Sequence, residues 1–119
     1  MTSQANFFRK PSRNKYGAKK TLVGDIKFDS KKEAGRWMEL QLMERAGEIT
    51  DLRRQVKVEL IGQHRPLYTR TGRKMILTFD FSYIEDGIVI YEDSKGVRTR
   101  DFDVRIAVAN AMGLETRIT

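Results

Sequence analysis

Residues 79–96 read FDFSYIEDGIVIYEDSKG. Two apolar runs flank Glu85-Asp86-Gly87, and Asp-Gly between alternating hydrophobic residues is the signal of a tight hairpin turn. Extended back to Lys74, the first run gives a strand with Met75, Leu77, Phe79, Phe81 and Tyr83 on its apolar face. Ile76, Thr78, Asp80 and Ser82 fall on the other face, because strand side chains alternate. The return strand spans 88–95, with Val89, Tyr91, Asp93 and Lys95 on one face and Ile88, Ile90, Glu92 and Ser94 on the other. A turn centred on Asp86-Gly87 pairs positions whose numbers sum to 173, so Asp80 faces Asp93. Directly opposed residues hold their Cβ atoms about 5 Å apart, and like charges there are destabilising. Two compensations are open. Lys95 neutralises both aspartates in a surface salt-bridge triad, or a divalent cation lies between them, Mg²⁺ or Mn²⁺ being suited to hard oxygen ligands. In the second case Lys95, on the same face as Asp93, reaches a metal-bound water or the attacked phosphate. Glu92 points away from Asp93 and reads as a surface residue.

Upstream, residues 30–46 carry Ala34, Trp37, Met38, Leu42 and Ala46 at helical spacing, followed by Gly47 at the C′ position. Ser30 and Glu33 form a capping-box pattern. Glu33, at the border of the apolar arc, either closes that box or turns along the sheet toward the hairpin. Gly35 weakens the helix by about 1 kcal/mol relative to alanine and predicts a close approach on its side. Residues 54–60 alternate as a strand with Val56, Val58 and Leu60 together, and residues 61–73 form a basic loop broken by Pro66 and Gly72. Residues 101–112 predict a second helix, capped by Asp101, buried through Phe102, Ile106 and Ala109, and ended by Gly113. The last residues, LETRIT, predict a short edge strand. The order αβββαβ implies a single-domain α/β fold, a sheet flanked by helices.

The chain has 119 residues, no cysteine and a net charge of +7. The length fits one domain, and the missing cysteines exclude disulfides, zinc–thiolate sites and thiol catalysis. No apolar run approaches the roughly 20 residues of a membrane span and no signal-peptide core is visible, so a cytoplasmic protein with no membrane partner is the default. Charge is unevenly placed. Arg9, Lys10, Arg13, Lys15, Lys19 and Lys20 lie in residues 1–24 without an acid, leaving 17 basic against 16 acidic residues in 25–119. The division reads as a basic arm, 1–24, on a nearly neutral domain, 25–119, which is a design for gripping a polyanion or else a solvated tail.

Asp80 followed by Asp93-Ser94-Lys95 resembles the split motif of the PD-(D/E)XK nuclease superfamily, with Glu33 similar to the upstream glutamate of many members. The segments FDSKKEAGRWMELQLMERAGEITDLRRQVKVEL and FDFSYIEDGIVIYEDSKG are similar to a small phage and prophage family, once catalogued as a domain of unknown function with a predicted endonuclease fold. The likeness covers about Phe28 to Thr119. Phe79 replaces the proline of the superfamily's name, and Arg105 stands where the closer family has lysine. The resemblance implies a restriction-endonuclease-like core with a central mixed sheet. It further implies a Mg²⁺- or Mn²⁺-dependent endonuclease in which Asp80, Asp93, Glu33 and the Ser94 carbonyl hold metal and Lys95 positions the nucleophile. Double-stranded or branched DNA is the expected partner, a homodimer the expected assembly, and host cytoplasm the location if the chain is phage-encoded.

Around that centre, Arg65, Arg70 and Arg73 make the 61–73 loop a phosphate-gripping flap, and Arg98 and Arg100 fall beside the Lys95-Gly96 end. Gln55 is either polar support for the site or an outward strand residue, and Arg105 is a candidate phosphate contact. His64, the only histidine, reads as an exposed loop residue, while Tyr68 is a candidate for base stacking. The competing function is a non-catalytic nucleic-acid-binding accessory protein on the same fold. RNA cleavage is a third possibility.

Overall fold

The turn between the two central strands is left-handed at both residues, with φ of 53° at Asp86 and 77° at Gly87. Positive φ at both central positions gives the twist that flanking strands favour, which is why Asp-Gly is found there. The resulting hairpin joins β4 (Ile76–Glu85) to β5 (Ile88–Asp93). Its register runs from Glu85↔Ile88 to Phe81↔Glu92, the sum of 173 expected from the turn. The computed structural model describes residues 21–94 and 98–119.

The remaining elements are β1 (Thr21–Val23), β2 (Ile26–Phe28), α1 (Lys31–Arg45), β3 (Thr50–Glu59), α2 (Arg100–Ala111) and β6 (Glu115–Ile118). A four-stranded sheet has the order β3-β4-β5-β6, antiparallel except for the parallel pair β5–β6. The fold is thus small and α/β, with a mixed sheet and two helices among the described residues. β1 and β2 form a separate hairpin that the residue pattern does not announce, and it begins at Thr21, within the last residues of the basic arm. Among the described residues no helix is long and apolar enough to cross a membrane.

Both helices begin on a hydroxyl. Ser30 caps α1 by accepting from the Glu33 amide at 3.1 Å. The cap of α2 is Thr99, which accepts from the Phe102 amide at 3.1 Å, and not Asp101, which lies inside the first turn. Asp101 and Asp103 there still favour the helix by meeting the positive end of its dipole. The buried stripe of α1 also differs from its apolar spacing. Ala34 and Leu40 are buried with Trp37 packed beside them, whereas Met38 and Leu42 are more than half exposed. Among the described residues nothing lies within 4 Å of where a Gly35 Cβ would stand, so none of them makes the expected close approach.

Two separate cores flank the sheet. The first joins Phe28, Ala34, Leu40, Ile49, Phe81, Tyr83 and Ile90 under α1. The second joins Leu60, Leu77, Phe79, Phe102 and Ala109 under α2, with Tyr91 against it. Ile90 and Tyr91 are consecutive in β5 and so face opposite ways, which places the helices on opposite faces of the sheet.

The apolar face expected for β4 is therefore divided. Phe81 stacks on Trp37 at 5.9 Å, while Phe79, two residues away, meets Tyr91 at 5.3 Å on the other side. The change occurs at Asp80, and a matching change occurs in β3. Arg54 lies over the Phe28 ring at 4.5 Å, but Val58 packs with the second core. Between them Gln55 has φ of 50°, and the neighbouring pairs Arg54↔Phe81 and Val56↔Phe79 put it opposite Asp80. A left-handed residue turns the peptide out of the regular pleat, so alternation does not carry through it.

The capping assignment is directly testable. Thr99→Ala is expected to lower stability by about 1 kcal/mol in urea denaturation, with Asp101→Ala costing less than half of that.

Candidate functional site

The point where the central strands change faces brings the two hairpin aspartates together. The Asp80 amide donates to Asp93 Oδ1 at 3.1 Å, and the Ser94 amide donates to Asp80 Oδ2 at 2.8 Å. Each carboxylate thus receives a backbone N–H from the opposite strand beyond the last Phe81↔Glu92 pair. These contacts hold the hairpin's open end where the ladder stops. Asp93 is buried and Asp80 is half-buried.

Glu33, in the first turn of α1, is also buried, at 7% exposure. Gln55 Nε2 approaches its Oε2 at 3.4 Å, so Gln55 supports Glu33 across the layers. Burial pushes the Asp80 carboxyl up to about 8; the Ser94 amide opposes that rise, and the charges of Asp93 and Glu33 add to it. The three carboxylates therefore feel one another. They do not, however, converge into a metal-binding group: among the described residues no three His, Cys, Asp or Glu side chains do. Asp80 and Asp93 form a hard-oxygen pair of the kind Mg²⁺ and Mn²⁺ accept, with one oxygen of each already engaged by an amide.

Other expected site residues are dispersed. Arg65, Arg70 and Arg73 are exposed on the loop between β3 and β4, as are Tyr68 and His64, and Arg100 is exposed at the start of α2. Arg98 pairs with Asp103 at 3.2 Å. Arg105 is held by Asp101 at 2.9 Å and donates to the Ile76 carbonyl at 2.8 Å, which ties α2 to the start of β4. Lys95 and the arm residues Arg9, Lys10, Arg13, Lys15, Lys19 and Lys20 lie outside the described residues.

Glu92 departs furthest from the expectation of the sequence. It is fully buried, not a surface residue. Arg36 grips it with two donors, Nε at 2.6 Å and Nη2 at 3.0 Å, and the Tyr83 hydroxyl donates to it as well. Arg117 of β6 donates to the Tyr83 hydroxyl at 3.0 Å and to Glu85 at 3.1 Å. Burial, reinforced by Glu92, pushes the Tyr83 hydroxyl up to about 12. Arg36 lies one helical turn after Glu33, and Glu92 directly precedes Asp93. The pair therefore sets how α1 sits against the end of β5. The available signal was Glu92 on the same face as Ile90, with Arg36 on the inner side of α1.

Comparison with known proteins adds a family. The model described as "Protein of unknown function (DUF1064)" matches residues 13–115. The chain belongs to the DUF1064 family. The match takes in α1, the β4–β5 hairpin and α2, so the aspartate pair and the Arg36–Glu92 pair both lie within the DUF1064 region. No curated protein and no solved structure matches the chain.

Two measurements follow from this geometry. A carboxyl whose folded pKa lies above its unfolded value of 3.8 binds its proton more tightly in the folded chain. Its stabilising contribution is complete below pH 3.8 and is lost as the pH rises through about 8. In EDTA, Asp80→Asn should therefore raise Tm relative to wild type at pH 9, by about 4 °C for each kcal/mol relieved, with the difference vanishing near pH 4. Arg36→Met strands the buried Glu92 and should cost about 3 kcal/mol in urea denaturation. Arg36→Met with Glu92→Leu should recover much of that loss, since the second change removes the orphaned charge.

Proposed function

We propose that this protein is a metal-dependent DNA endonuclease hydrolysing phosphodiester bonds, with structured or branched DNA as the substrate. The observation that supports the reading best is the reciprocal arrangement of Asp80 and Asp93. Two carboxylates are held face to face by backbone amides at the open end of a hairpin, and the triplet continues into Ser94 and Lys95. Holding like charges at such a position is unfavourable without a counter-ion. Burial first, and the neighbouring Asp93 and Glu33 after it, hold the Asp80 carboxyl well above its ordinary value, and a counter-ion at the pair would relieve the charge part of that shift. The order of elements and the resemblance of Asp80, Asp93-Ser94-Lys95 and Glu33 to the PD-(D/E)XK pattern point the same way.

Asp80 and Asp93 would hold the Mg²⁺ or Mn²⁺, with the Ser94 carbonyl and Glu33 at its margin. A cation held there would supply an acidified water and charge neutralisation at the phosphate. In the reaction the water oxygen bonds to phosphorus as its proton passes to solvent, the bridging P–O bond breaks, and the leaving alkoxide takes up a proton from solvent. Lys95 is assigned to orienting the attacking water and holding the phosphate oxygen, a task suited to a flexible point charge. Gln55, 3.4 Å from the Glu33 carboxylate, would steady that side chain. The Arg36–Glu92 pair would position Glu33, one turn before Arg36, and Asp93, next to Glu92.

The assay is incubation of purified protein with plasmid and with a four-way junction, in Mg²⁺ or in EDTA. Wild type should cut only with metal, and Asp93→Asn should lower the rate about 100-fold or more with its circular dichroism spectrum retained. Absence of metal-dependent cutting by folded wild type, or undiminished cutting by Asp93→Asn, would overturn the reading in favour of a non-catalytic nucleic-acid-binding protein.

A further inference from the structure

Beside the aspartate pair lies an open groove of about 540 Å³ between the N-terminal half of α1 and the ends of β5 and β6. Lys31, Lys32, Gly35 and Arg36 line one wall with Glu39, and Ser94 and Thr119 line the other. Ser94 and Thr119 are fastened together: their hydroxyls lie 3.1 Å apart, and the Thr119 amide donates to the Asp93 carbonyl at 2.9 Å. The groove therefore ends on the residue that follows Asp93 and whose amide binds Asp80.

Its charge is unusual in placement. Arg36 is occupied by Glu92 and by Glu39, the latter at 3.1 Å, and contributes little outward positive charge. Lys31 and Lys32 have no carboxylate within ion-pair distance among the described residues. Both occupy the first turn of α1, where the positive end of the helix dipole disfavours cations. Two adjacent lysines at this end of a helix, over an open groove, would be favoured by an anion from outside. Gly35 extends the same surface. It costs the helix stability, meets no close packing among the described residues, and leaves its stretch of wall without a side chain.

We propose that this groove binds the phosphodiester backbone of a nucleic-acid strand, with Lys31 and Lys32 on successive phosphates, Gly35 admitting the strand against the helix, and the strand led onto the aspartate pair. The inference rests on the nuclease reading for its substrate but not for its test. Lys31 and Lys32 are absent from the basic arm and loop that charge alone singled out, so the groove is a distinct contact. Glu39 at its rim, bound to Arg36, is the one acid among the residues lining the groove and limits where a phosphate sits.

The experiment is anisotropy titration of a labelled duplex DNA in EDTA, between about 50 and 200 mM NaCl, where binding is read without cleavage. Removing one phosphate contact lowers the log–log salt slope by about 1, so Lys31→Ala/Lys32→Ala should lower it by about 2. Lys57→Ala, on the exposed face of β3, serves as control and should leave it within about 0.5 of wild type. Gly35→Leu should keep or raise Tm, since leucine is the better helix former, and yet weaken binding at least about 5-fold by filling the wall. An unchanged slope in the double lysine variant, or unchanged affinity in Gly35→Leu, overturns the proposal. A lysine-dependent slope in a protein that never cuts DNA would uphold the groove and remove the nuclease reading. Cutting by wild type with an unchanged slope in the double variant would do the reverse.

Discussion

The bidentate grip of Arg36 on Glu92 is the constraint around which the layers are arranged. A fully buried carboxylate is tolerated only when its charge and lone pairs are met, and here a guanidinium and a phenol meet them. The geometry leaves α1 little freedom to rotate or slide over the sheet. Because Glu33 lies one turn before Arg36 and Asp93 follows Glu92, the same contact fixes both sides of the candidate site. Arg117 extends it to β6 through Tyr83, so three strands and one helix share a single polar network.

Asp80 illustrates a second constraint. It occupies the point where β4 leaves one core and enters the other, opposite the left-handed Gln55 in β3. A residue at such a crossing packs fully into neither core, which is why a charged side chain is accommodated in a strand otherwise lined by Leu77, Phe79, Phe81 and Tyr83. Its amide and its carboxylate are both spoken for by the Asp93-Ser94 end of β5. The irregular backbone and the acidic side chain are two parts of one local arrangement.

Much of this was legible in the sequence, for identifiable reasons. The Asp86-Gly87 turn permits one register, and that register brings Asp80 to Asp93 without further information. Ser30, Gly47 and Gly113 marked helix ends correctly because capping is local chemistry. Asp101 was misassigned because Thr99, two residues earlier, offers an equally good hydroxyl. Alternation failed in β4 because it presumes an unbroken pleat, and a positive φ at a glutamine leaves no compositional trace. Glu92 was misplaced because burial of a charge depends on a partner 56 residues away. Met38 and Leu42 are apolar yet outward, and periodicity alone gives no means of telling them from core residues. The hairpin of β1 and β2 is too short for a pattern to register.

The division of the apolar side chains between two cores has a dynamic consequence. Phe81 and Tyr83 belong with α1 and Phe79 and Leu77 with α2, so the β4–β5 hairpin is the common wall of two compartments. Local opening in small proteins follows such units, and the two sides are braced differently, α1 through Arg36 and Glu92, α2 through Arg105 and the Ile76 carbonyl. The aspartate pair lies on the seam between the two. Asp80 is bracketed by Phe81 of one core and Phe79 of the other, so repacking on either face of the sheet bears on the pair.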